Sequence, residues 1–132
     1  MSGRAVFFVS SAGYEAAWQA TSLGITAAAM GDEVVFVFAF DALRTLANGT
    51  FGKPLSDKQR SEALRGKGIG APLPAAMLHD ARTMGARALA CDTTVKLCGL
   101  SAQTLKAEGL LDDVLGLPQL WRLTQAARVL TF

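Results

Sequence analysis

Histidine is almost missing from this chain of 132 residues, with His79 the only one. That excludes a metal site built on several histidines. His79 falls inside a predicted helix beside Asp80, apart from either cysteine, and reads as a surface residue. Cysteine is equally sparse. Cys91 and Cys98 lie seven positions apart, there is no Cys-x-x-Cys, and with no export-signal layout this predicts free thiols in a reducing cytoplasm. Long apolar runs are absent too: Val34 to Phe40 is a strand's worth, far short of a membrane span, so no stable membrane insertion is expected. A net charge of only +2 gives no electrostatic case for nucleic acid or a membrane surface. The start, Met1-Ser2-Gly3-Arg4, runs straight into a strand-like segment without the basic-then-apolar layout of a signal peptide.

Stock chemical motifs are lacking as well. There is no glycine-rich phosphate fingerprint and no Gly-x-Ser-x-Gly elbow. Ser10-Ser11-Ala12-Gly13 falls short of the hydroxyl-rich turn that cradles a flavin phosphate. The paired acids of a response-regulator receiver are missing from the end of the first strand. No organic cofactor and no metal is called for.

What is present is a chain rich in apolar residues, 51% by count, whose patterning alternates strands and helices. Ala5 to Val9 and Val34 to Phe40 read as strands buried on both faces. Tyr14 to Met30 reads as a long helix closed by Gly31. Asp41 is read as the cap of a short helix over Ala42 to Ala47. Pro72 and Pro74 lead a helix through Met84, and Ala86 to Cys91 is the third strand. Short helices follow over Thr94 to Leu97 and Ser101 to Ala107. Asp113 to Leu117 reads as a short strand, Pro118 opens a last helix, and Arg128 to Phe132 is a terminal strand. The expectation is a single α/β domain over 1–132, a flavodoxin-like three-layer sandwich with a five-stranded, mostly parallel sheet in the order 2-1-3-4-5.

Two stretches stand out from this pattern. Between Glu15 and Asp32 no residue is charged, whereas a helix on a monomer's surface normally keeps a charged stripe toward water. The first helix is therefore expected to pack on both sides, in a homo-oligomer; the alternative is that its Ser, Thr and Gln residues suffice for a solvated face. Lys53 to Lys67 sets five positive charges against two negative ones, a local excess above that of the whole chain. With Gly66, Gly68 and Gly70 it is read as a basic, glycine-containing loop at about 49–71, either a solvated charge run or a cover over a site that attracts anions.

Cys91 is the leading candidate for chemistry. It sits where the strand Ala88-Leu89-Ala90 runs out into Asp92-Thr93-Thr94, a cluster of helix-starting residues. A thiol there faces unpaired backbone N–H groups and the positive end of a helix dipole, surroundings in which cysteines become reactive. The bland alternative is a small hydrophobe in the core. In the order 2-1-3-4-5 the switch point falls between the first and third strands, which would bring Ser10 to Gly13 beside Cys91. Ser11, Gly13, Thr93, Thr94 and Lys67 are accordingly candidates for anion or substrate binding, with helix capping the plainer role for both threonines. Cys98 is a possible secondary thiol. Two helical turns, about 10 Å, would separate it from Cys91, too far for a disulfide without unwinding, so it reads first as a core-facing residue.

Several segments together resemble a known family: Ala28-Ala29-Met30-Gly31-Asp32-Glu33-Val34-Val35-Phe36-Val37-Phe38, then Pro72-Leu73-Pro74, then Met84-Gly85-Ala86-Arg87-Ala88-Leu89-Ala90-Cys91, and Lys96-Leu97-Cys98-Gly99-Leu100. These are similar to the DsrE/DsrF-like proteins, especially the branch often labelled a peroxiredoxin family. The resemblance implies a flavodoxin-like sheet, assembly into trimers or hexamers, and cytoplasmic sulfur trafficking with a donor or acceptor protein. It also implies that the strand-end cysteine, here Cys91, carries sulfur as a persulfide. Where the branch commonly shows Ser-Met and Met-Gly, this chain has Thr93-Thr94 and Cys98-Gly99. The competing expectations are a non-catalytic oligomeric binding or scaffold module, and a thiol peroxidase, against which the lack of a Thr-x-x-Cys arrangement argues.

Overall fold

The computed structural model describes residues 3–132; Met1 and Ser2 lie outside the described residues. In chain order the elements are β1 (Arg4–Val9), α1 (Tyr14–Ala29), β2 (Glu33–Phe38), α2 (Phe40–Asn48), α3 (Asp57–Gly68) and α4 (Pro74–Thr83). Then come β3 (Arg87–Cys91), α5 (Asp92–Leu97), α6 (Ala102–Ala107), β4 (Asp113–Leu115), α7 (Leu117–Leu123) and β5 (Ala127–Thr131). The five strands form one sheet in which every pairing is parallel. The α/β class is as expected. The strand order is not: it is 4-3-2-1-5, where 2-1-3-4-5 was predicted.

Order decides how the helices divide. From β1 to β4 the chain steps across the sheet in one direction, and right-handed crossovers place all those connections on one face. The β4-to-β5 connection steps back past three strands, so its helix, α7, lies on the other face. Alternation along the strands follows this division. Ala5, Phe7 and Val9, with Val34, Phe36, Phe38, Ala88 and Ala90, point into the larger core shared with α1, α2, α4, α5 and α6. Val6, Val35, Val37, Leu89 and Cys91 point the other way and pack with Leu120 of α7.

In the larger core the rings of Phe7 and Phe36 lie 5.4 Å apart. Helix α1 seats closely on β2 because residue 24 is glycine: a Cβ there would come within 2.2 Å of the Phe36 ring. The α2 helix begins at Phe40 with Ala39 as its cap residue, so Asp41 stands inside the first turn instead of capping it.

The segment expected as a loop at about 49–71 contains a helix, α3. Ser56 caps it, accepting the Gln59 backbone N–H at 3.1 Å. None of its residues is buried. It leans beside the start of α1, where Lys58 Nζ stands 3.9 Å from Glu15 Oε1.

Candidate functional site

Cys91 is the last residue of β3 and the cap residue of α5, with extended backbone angles and no side-chain capping bond. The strand ends there because the next residues turn directly into helix. Thr94 Oγ1 donates to the Cys91 carbonyl at 3.0 Å, fastening the first turn of α5 back onto the strand end. Asp92 pairs with Lys96 one turn on, at 3.0 Å. The side chain of Cys91 does not stand in an open crevice. The residue is 5% exposed and belongs to the apolar cluster of Val6, Val35, Val37, Leu89 and Leu120.

Cys98 caps the other end of α5 and is half-buried. It packs against the larger core, so the two cysteines serve opposite sides of the sheet, and both are free. The Cys98 thiol points at the carbonyl of Phe40, at 4.0 Å. Phe40 follows the end of β2 and takes a positive φ of 47°, a conformation that non-glycine residues rarely adopt. Sequence patterning gave no sign of this contact between α5 and the start of α2.

The remaining candidates do not gather around Cys91. With β2 and not β1 beside β3, the turn holding Ser11 and Gly13 is a strand removed. That turn sits at the actual reversal of strand order, between β1 and β5, where the Phe132 carbonyl accepts the Ser10 N–H at 2.8 Å and the Ser11 N–H at 3.4 Å. Gly13 is the cap residue of α1. Thr93 is exposed, and the Thr94 hydroxyl is spent on the strand-end carbonyl. Lys67 lies in the last turn of α3, along a cleft with Arg60, Leu64 and Pro72. His79 is exposed on α4.

Among the described residues no cluster of His, Cys, Asp and Glu is arranged to hold a metal ion, and no helix is long and apolar enough to cross a membrane. What the geometry offers at Cys91 is one thiol at the carboxyl edge of the sheet, where α/β folds place their chemistry, under the cover of α7. The sequence model of the DsrE/DsrF-like family matches residues 4–132, essentially the whole chain. No curated protein matches it.

Proposed function

Because this chain belongs to the DsrE/DsrF-like family, we propose that it is a sulfur carrier that holds sulfane sulfur on Cys91. The Cys91 thiolate attacks the outer sulfur of a donor persulfide, R–S–S⁻. The donor's S–S bond breaks, R–S⁻ leaves, and Cys91–S–S⁻ is formed. With thiosulfate as donor the leaving group is sulfite. An acceptor thiolate then attacks the outer sulfur and returns Cys91 to its thiolate. The two steps are thiol exchange, which conserves electrons and needs no outside oxidant or reductant.

The observation that supports this reading is the place of Cys91, closing β3 and opening α5 in one residue. Loading by thiosulfate or by a persulfidated sulfurtransferase, followed by intact mass, tests it. Wild type is expected to gain one sulfur atom, Cys98→Ser to gain the same, and Cys91→Ser to gain none. Equal gain in Cys91→Ser, or no gain in wild type, removes the reading.

In the same reading the carrier works as a homo-oligomer, a trimer or hexamer, in the cytoplasm. Two apolar surfaces support the assembly. α1 carries no charge between Glu15 and Asp32 and exposes Leu23, and α7 turns Leu117 and Trp121 outward at 63% and 77% exposure.

The burial of Cys91 favours a second reading, a non-catalytic oligomeric module in which this thiol is a packing residue. Under it, Cys91 alkylates no faster than Cys98 near neutral pH, and Cys91→Ser costs stability without loss of any transfer activity.

A further inference from the structure

A cleft of about 760 Å³ lies between α1 and α3, on the side of the sheet away from the Cys91 side chain. Its volume is within the range of small-molecule sites. Tyr14 and Trp18, one turn apart on α1, and Ile69 at the end of α3 supply apolar wall.

The polar groups are arranged unevenly. Tyr14 is 6% exposed, and its hydroxyl makes no hydrogen bond to a described residue. No buried side-chain oxygen or nitrogen among the described residues lacks a partner. The hydroxyl therefore keeps some accessible surface, and Tyr14 is among the residues that line the cleft. Glu62 is half-buried and in no ion pair among the described residues. Glu15 has only the exposed Lys58 ammonium, at 3.9 Å. Arg65, also lining the cleft, is exposed on the last turn of α3. Glu62 is thus the one half-buried charged group lining the cleft, with Tyr14 and Trp18 in the same lining, while Glu15 and Arg65 are both exposed. Aromatic faces and a carboxylate together suit an organic cation.

We propose that the α1–α3 cleft binds a small organic ammonium with an aromatic or apolar body, its charge on Glu62 and its ring against Trp18, at the edge of Tyr14. The proposal does not rest on Cys91 chemistry, and either can fail without the other.

The test uses the full chain carrying Trp121→Phe, which leaves Trp18 as the sole indole. Phenethylamine is titrated against its emission, with phenylacetate and 2-phenylethanol as probes of the same shape and different charge. Phenethylamine is expected to saturate with a Kd of about 1 mM, the scale for a ligand of this size. Glu62→Gln, which keeps an acceptor oxygen and removes the charge, should weaken it about tenfold, as when a charge-assisted hydrogen bond becomes a neutral one. Tyr14→Phe, which keeps the packing, should weaken it about threefold through loss of one neutral hydrogen bond. Glu62 lies on a helix with no buried residue, so that variant remains informative if Tyr14→Phe fails to fold. Absence of saturation, or equal or tighter binding of phenylacetate, overturns the proposal. So does a concentration-dependent dimer that Ile69→Glu abolishes, since the cleft would then belong to a second copy of this chain.

Discussion

Leu120 of α7 and Cys91 of β3 lie in one buried cluster on the side of the sheet that a single short helix covers. Leu120 is 2% exposed and Cys91 5%. Leu120→Ala should therefore do two things at once. Stability should fall by about 2–4 kcal/mol, the usual cost of a large-to-small change in a core. Alkylation of Cys91 in the native protein should accelerate, read by peptide mapping after a short pulse of a thiol reagent. Unchanged Cys91 reactivity in a folded Leu120→Ala would mean that α7 does not control access to the thiol.

The order in which the cysteines react separates the two functional readings. Cys98 is half-buried and Cys91 is buried, so exposure alone has Cys98 reacting first. A sulfur carrier needs Cys91 to react faster in spite of its cover, through strand-end geometry and movement of α7. Site-resolved alkylation rates near neutral pH measure this directly, and a faster Cys98 supports the packing role.

Gly24→Ala should be costly although alanine favours helices. The added methyl would meet Phe36 at 2.2 Å, with that ring fully buried. Overpacking of this kind costs about 1–3 kcal/mol, more than the helix-propensity gain of roughly 1 kcal/mol. Denaturant unfolding should show a net loss.

Asp112 holds the edge of the sheet. Its carboxylate accepts the Ala88 backbone N–H at 2.7 Å and the Arg82 guanidinium at 2.9 Å. Arg82 in turn donates to the Gly109 carbonyl at 2.7 Å. Asp112→Ala removes the partner of a half-buried N–H and should cost about 1–3 kcal/mol. Amide exchange at Ala88 should quicken in the same variant.

Helix α3 should be the least protected helix of the fold. It buries no residue and exposes Leu64 at 71%, and segments with few buried apolar contacts open at low free energy. Hydrogen exchange should find its amides faster than those of α1 or α4. Leu64→Ser should shift global stability by less than about 0.5 kcal/mol.

Most elements were legible because their signals are local. β1 and β2 are continuous apolar runs, α4 and α7 open on prolines, and α1 ends beside Gly31. The end of β3 at Cys91 was legible for the same reason. Strand order was not. Both 2-1-3-4-5 and 4-3-2-1-5 are built from parallel strands and right-handed crossovers, and no residue pattern within a strand names its neighbour. That one ambiguity misplaced Ser11 and Gly13 relative to Cys91. It also hid the fact that the Cys91 side chain falls on the sparsely covered face. Helix α3 escaped notice because charge and glycine dominate its composition, although Ser56 followed by Gln59 has the spacing of a helix-start signal. In the structure the Gln59 side chain accepts the Leu55 N–H instead of closing the box on Ser56.

The return of the chain from β4 to β5 also sets a timetable. During synthesis, β1 through β4 and the helices between them can assemble as they emerge, leaving Val6, Val35 and Leu89 wet on the far side. Only when residues 117–131 leave the ribosome can that strip of aliphatic surface be roofed and the last strand docked along β1. A nascent chain stalled before Leu117 would therefore present a sticky, half-finished sheet to chaperones, however complete its opposite layer had become.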